Sequence, residues 1–225
     1  MFKVAPIVLA LLYGVVYYRF SVWRTSAELN SKSTELADPT LRAMCASMAE
    51  VLELEQVKVH IYEIEPVNGL AAPDGRIFIT RGFFKKYVTG EVSAKEIASV
   101  IAHELGHVAL GHSRRRLIDF SGQNAIRVAL GLVLGRIIPG VGVWLAGFLS
   151  RMLAARLSRQ DEYEADAYAA ALLIKTGIGV EAQKTLFEKL DALVNTSGQP
   201  LAWLMSHPKT ADRIAAIEKL ETRWK

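Results

Sequence analysis

His103-Glu104-Leu105-Gly106-His107 is the stretch of this 225-residue chain whose residue types and spacing could do chemistry. It sits in an apolar, helix-forming run that includes Ile97, Val100 and Ile101. On an α-helix, residues four apart share a face, so His103 and His107 can offer two imidazole nitrogens to one metal ion. Zinc is the usual guest of such a pair. Glu104 stands one step round the helix, where a carboxylate can take a proton from water and serve as the general base of a hydrolysis. A chance match on a surface helix would look the same over five residues, so the decision falls to the rest of the chain.

A catalytic zinc wants three protein ligands and one open position. One known arrangement places a third histidine in the pattern His-Glu-x-x-His-x-x-Gly-x-x-His. Here Gly111 and His112 each miss that register by one residue. The other arrangement takes a glutamate from a later helix. The stretch 161–166 offers Asp161, Glu162, Glu164 and Asp166, of which only Glu162 and Asp166 stand four apart. Glu162 can ligate while Asp166 accepts a hydrogen bond from the far nitrogen of a ligating imidazole, which fixes its tautomer. A solvated acidic face would explain the charges. It would not explain why Ala165, Ala167, Ala169 and Ala170 keep the helix thin, as close approach to another helix requires.

The elements that position these residues can be read from local signals. Asp38-Pro39 is an N-cap followed by proline at the first helical position, and Leu41, Met44, Cys45, Met48, Val51 and Leu52 then recur at helical spacing. Val57–Tyr62 and Ile77–Thr80 read as two strands of a small, mostly antiparallel sheet, with a turn at 72–75. Ser93-Ala94-Lys95-Glu96 is a capping box that opens the His103–His107 helix. Helices follow over 158–177, closed by Gly177, and over 179–194 with Leu186, Phe187, Leu190 and Leu193 inward. The last helix carries Ile214, Ile217 and Leu220, and 195–200 is a loop. The fold class is α+β, mainly helical. A helix buried on both flanks needs partners for its histidines and glutamate, and a metal supplies them.

Hydrophobic residues make up 51% of the chain and the net charge is +4, a balance that suits contact with an anionic membrane. No Lys/Arg stretch is interleaved with aromatics, so no nucleic-acid partner is expected. One cysteine, Cys45, excludes a disulfide framework. Residues 4–18 are uncharged, and with Phe20, Val22 and Trp23 they approach the length of a membrane span. The expected organisation is an N-terminal membrane anchor or signal segment over 1–23 and a polar linker over 24–38. A metal-binding domain over 39–225 follows, interrupted by an apolar insert over 117–157. Within that insert, 125–157 reads as an interfacial segment or a flap, with a buried helix pair as the alternative. Arg114, Arg115 and Arg116 precede it.

Taken in order, His103-Glu104-Leu105-Gly106-His107, Ser158-Arg159-x-x-Glu162-x-x-Ala165-Asp166 and His207-Pro208-x-x-x-x-Arg213 resemble the HtpX and CAAX prenyl protease type of zinc metallopeptidases. The resemblance runs from about Asp38 to the C-terminus, and the chain looks most like the compact BepA-like and LoiP-like members. It implies a zincin-type (gluzincin) metalloprotease domain holding one Zn2+ per chain through His103, His107 and Glu162. Glu104 would be the base, and Asp166 and Arg213 would support the ligands. It also gives His207, otherwise a loop residue before a helix, a place near the zinc as a blocking ligand or an oxyanion stabiliser. Asn68-Gly69-Leu70-Ala71-Ala72-Pro73-Asp74-Gly75 resembles the family's segment that leads into a substrate-binding edge strand, with Gly, Leu and Asp replacing Ala, Phe and Gly. The expected function is a membrane-associated endopeptidase. Its substrates would be unfolded or membrane and envelope polypeptides, at a bacterial inner membrane, with lipid contacts through the N-terminal segment and the insert. The alternative is a membrane-tethered, chaperone-like binding protein with a structural zinc.

Overall fold

Ser93 and Glu96 close the expected capping box: the Ser93 hydroxyl accepts from Glu96 N–H at 3.3 Å, and the Glu96 carboxylate accepts from Ser93 N–H at 2.7 Å. The computed structural model in which they lie describes residues 5–72, 74–112, 134–139, 141–197, 207 and 210–224. Its elements are α1 (Ala5–Ser31), β1 (Ser33–Glu35), α2 (Pro39–Val51), β2 (Val59–Tyr62), β3 (Gly69–Ala71) and β4 (Ile77–Thr80). They continue with α3 (Arg81–Val88), α4 (Ala94–Ala109), α5 (Gly142–Lys175), α6 (Glu181–Ser197) and α7 (Thr210–Trp224). The chain divides into two compact units, one of Leu29–Leu110 with Asp161–Lys225, the other of Met1–Glu28 with Gly111–Gln160.

The first unit holds the site. Its sheet runs β1-β2-β4-β3. β1 and β2 are antiparallel, as are β3 and β4, but β2 and β4 are parallel, with Val59 opposite Ile77 and Tyr62 opposite Thr80. The sheet is therefore mixed: two of its three pairings are antiparallel, as expected of a mostly antiparallel sheet, while the strands read from the sequence, β2 and β4, run the same way. The reason is connectivity. β2, β3 and β4 alternate in direction along the chain, yet β4 rather than β3 lies beside β2. β3 is left on the outer edge.

α4 packs against α2, α6, β3 and β4. Every side chain from Glu96 to His107 is buried. The core around it includes Leu41, Met48, Ile77, Ile79, Ile97, Ile101, Leu173 and Phe187. Burying one such aliphatic or aromatic side chain is worth about 1.5–3 kcal/mol. Cys45 belongs to this core, and burial pushes its thiol up to about 11. Leu186, Phe187 and Leu190 face inward as expected, the side chain of Leu193 lies outside those described, and α6 runs on to Ser197.

Residues 24–38 do not form a linker. α1 continues to Ser31, and Ser33–Glu35 pair with Tyr62–His60 as β1. Buried Leu29 explains the continuation: it joins Ala72 and Phe78 in a small cluster, so a polar segment is held by one apolar anchor. In the second unit, no helix among the described residues is long and apolar enough to cross a membrane, so the expected span over 1–23 is not found there. Arg19 and Arg24, both exposed, interrupt the apolar run. Leu12, Val15, Val16, Phe20 and Trp23 are exposed on α1, and Ile137, Val141, Trp144, Phe148 and Met152 are exposed later in that unit. Arg114–Arg116, residues 117–133 of the apolar insert and Pro73 lie outside the described residues.

α4 and α5 meet where neither carries a large side chain. A Cβ at Gly106 would stand 3.0 Å from both Cα and the carbonyl oxygen of Ala165, and 3.3 Å from Cβ of Tyr168. Alanine at 106 gains up to about 1 kcal/mol in helix propensity, but overpacking against backbone costs about 1–3 kcal/mol. Gly106→Ala is expected to lower stability by roughly 1 kcal/mol, measured by urea unfolding, and to weaken zinc binding by pushing α5 away.

Candidate metal centre

His103 and His107 lie one turn apart on α4, with their ring nitrogens Nε2 3.1 Å from each other. α5 brings Glu162 across the Gly106–Ala165 contact. Its Oε2 is 3.5 Å from His103 Nε2 and its Oε1 is 3.5 Å from His107 Nε2. His207 Nδ1 completes the group, 3.3 Å from His103 Nε2 and in close contact with Glu162 Oε2. All four side chains are buried and their donor atoms lie within 4.8 Å of one another. Four donors bonded tetrahedrally to zinc at about 2.0–2.1 Å stand about 3.3–3.4 Å apart along each edge. The separations of 3.1, 3.3 and 3.5 Å lie near that figure, the Glu162–His207 contact being shorter, and imidazole with carboxylate is a zinc donor set. The residues fit the metal.

Behind the donors lies a carboxylate. Asp166, one turn beyond Glu162, places Oδ1 2.9 Å from His103 Nδ1. This contact puts the ring proton on Nδ1 and leaves the Nε2 lone pair facing the other donors. Arg213 on α7 holds Asp166 with two bonds, Nε to Oδ2 at 2.6 Å and Nη2 to Oδ1 at 2.7 Å. Its Nη2 is also 3.4 Å from His103 Nδ1. Both atoms are donors, so their proximity reflects a shared acceptor, Asp166 Oδ1. The guanidinium stacks on the Phe187 ring at 4.3 Å and sends Nη1 to 3.9 Å from Glu162 Oε2.

The electrostatics follow from burial and pairing. Burial raises the Asp166 carboxyl, but the charge and hydrogen bonds of Arg213, with His103, carry it below its ordinary value. Glu162 is likewise raised by burial and lowered further by His103 and His207. Burial pulls His103 down, whereas its bonds to Asp166 and Glu162 push it up to about 9. Glu104 is 3% exposed, and its Oε1 makes no hydrogen bond among the described residues. His207 Nε2 lies 3.6 Å from that oxygen. A buried carboxylate oxygen with no hydrogen bond, beside metal donors, is placed to receive a proton.

The model of Peptidase family M48 matches residues 35–221. The chain belongs to peptidase family M48. This is a family of zinc metallopeptidases. Metalloprotease LoiP of Escherichia coli is 34% identical over 164 residues, which cover 72% of this chain and 62% of that protein. Metalloprotease YcaL of the same organism is 30% identical, covering 72% and 61%. A Protease HtpX homolog of Leptothrix cholodnii is 27% identical, covering 88% and 77%. The chain therefore spans about three fifths of the length of LoiP and YcaL.

Membership in the M48 family agrees with what the geometry assembles. His103, Glu104, His107, Glu162, Asp166, His207 and Arg213 come together although they span four separate segments. His207 is the member that elementary periodicity could not place, and its neighbour Pro208 lies outside the described residues. Asn68–Ala72 lie on and beside edge strand β3, which packs against α4. Thr80 N–H donates to Asn68 O and Ala72 N–H to Arg76 O, so by antiparallel alternation Gly69 and Ala71 turn their backbone groups away from β4, to the outer side of the sheet. The Asn68 side chain accepts from Gly69 N–H at 3.0 Å, leaving Ala71 N–H and the Gly69 and Ala71 carbonyls on that edge.

One residue of the site escaped the sequence reading. Gln183 on α6 donates from Nε2 to Asp166 Oδ1 at 3.1 Å. Its signal was present: it shares the apolar stripe of Leu186, Phe187 and Leu190, where a glutamine has no packing reason to stand. Removing Arg213 would leave Asp166 buried without its cation. Arg213→Met is expected to cost about 3–5 kcal/mol in urea unfolding, and Arg213→Lys to recover only part of it because the two-bond fork is lost.

Proposed function

We propose that the chain is a zinc-dependent endopeptidase that takes polypeptide substrate as an added strand along β3. The observation that carries this reading is Glu104, a buried carboxylate, one oxygen of which makes no hydrogen bond among the described residues, beside a zinc-type donor set. His103, His107 and Glu162 would hold the metal, which when bound polarises a carbonyl and makes water acidic at neutral pH. Glu104 takes the proton of the attacking water and returns it to the leaving nitrogen. Ala71 N–H and the outward carbonyls of β3 receive the substrate backbone, so register along the edge rather than one deep pocket selects the bond. Substrates are unfolded or membrane and envelope proteins, since edge pairing needs an extended, unpaired chain.

A second reading is favoured by one feature. With His207 Nδ1 included, the site offers four protein donors, the pattern of a structural zinc. On that reading the chain is a client-binding protein that cuts nothing. Casein cleavage separates the two. Wild-type protein is expected to cut casein internally, a chelator to stop it, and added zinc to restore it. Glu104→Gln is expected to keep its zinc, measured by metal analysis, and to lose at least about a hundredfold in rate, as removal of a general base does. Full activity in that variant would sink the assignment.

The exposed Leu12, Val15, Val16, Phe20 and Trp23, with Arg19 and Arg24 close by, support association with an anionic membrane surface such as the bacterial inner membrane. The exposed Ile137, Trp144 and Phe148 of the insert support the same contact. The chain is expected to float with anionic liposomes, and the Phe20→Ser, Trp23→Ser double variant to stay in the soluble fraction. Equal flotation of the two proteins would count against a surface contact through α1.

A further inference from the structure

Gln183 is 1% exposed, and none of the chemistry above calls on it. Its Oε1 makes no hydrogen bond among the described residues, while its Nε2 reaches Asp166 Oδ1. An apolar side chain would fill this place on α6 without leaving a buried acceptor unpaired. Packing therefore does not account for a glutamine here, and among the described residues the side chain's bond to Asp166 does.

We infer that Gln183 is a positioning residue of the metal centre, acting through Asp166 on the orientation and tautomer of His103. Asp166 Oδ1 takes three donors from three helices: His103 Nδ1 from α4, Arg213 Nη2 from α7 and Gln183 Nε2 from α6. The Arg213 fork fixes the carboxylate along one edge, roughly in its own plane. A fork alone lets that plane rock with the long arginine side chain. The third donor, from a separate helix, ties Oδ1 at the point from which it meets the imidazole. The choice of residue type is also informative. A second cation at 183 would bind Asp166 more strongly but would repel a divalent metal at the donors. A neutral amide adds a donor and leaves the Asp166–Arg213 pair without net charge.

This inference rests on the zinc reading, and the experiment separates the two. Zinc affinity of the full chain is measured by chelator competition for wild type, Gln183→Met and Gln183→Glu. Metal-free thermal unfolding is recorded alongside, with 15N spectra of the histidine side chains in the zinc-loaded protein. The wild type is expected to show His103 protonated on Nδ1. Gln183→Met, similar in length but unable to donate, is expected to bind zinc about tenfold more weakly, with a shifted His103 resonance. Gln183→Glu is expected to be weaker still, because its carboxylate cannot donate and repels Asp166. A wild type that binds no zinc overturns the metal reading itself. A wild type that binds zinc with His103 protonated on Nε2 overturns the positioning role without any variant. So do variants that unfold earlier yet bind zinc as tightly as wild type, since that outcome leaves Gln183 only a packing part.

Discussion

Among the described residues, the carboxylates of Glu104, Glu162 and Asp166 are buried within one small region together with the imidazoles of His103, His107 and His207 and the guanidinium of Arg213. The rest of the structure answers to that concentration of charge. Arg213 is committed to Asp166 by two short bonds and reaches Glu162 only at 3.9 Å. Positive charge for Glu162 must come from elsewhere. Without a metal, His103 supplies part of it: its bonds to Asp166 first and then to Glu162 push its pKa up to about 9 despite burial. A divalent cation among the same donors answers the need more completely, and it does so with both imidazoles neutral, the form in which they ligate.

The architecture is built around keeping that region dry and narrow. Gly106 and Ala165 let α4 and α5 approach until backbone meets backbone, so that side chains one turn away on each helix converge instead of passing. The sheet covers α4 from another side, and α6 and α7 supply Gln183, Phe187 and Arg213. The Glu96 end of α4 is tied to α6 through Thr185 at 3.0 Å and Lys189 at 2.9 Å. The same helix that brings Gln183 to Asp166 is thus fixed to the start of the metal helix.

How much of this was legible before the structure depends on the range of each interaction. The His103–His107 pair, the Glu162–Asp166 pair and the Ser93 capping box are local patterns, and helical period alone places their side chains. The parallel pairing of β2 with β4 is not local, because nothing in either strand records which neighbour it will take. The run of α1 through 24–31 was hidden for a similar reason, since its anchor, Leu29, is a single apolar residue in a polar stretch. Gln183 was visible as a polar residue on an apolar stripe, but its partner was not. His207 has no periodic context, and only the resemblance to a family gave it a place.

His207 also sets the relation between the site's two readings. With its Nδ1 included, the four donors would complete a tetrahedral zinc and leave no position for substrate. Yet the same imidazole turns Nε2 toward Glu104, a carboxylate whose Oε1 makes no hydrogen bond among the described residues. A purely structural zinc would leave that carboxylate with a burial penalty and nothing in return. On the proposed function, Glu104 would be the base and His207 a ligand that could give way to water, which would account for a carboxylate kept buried beside the donors.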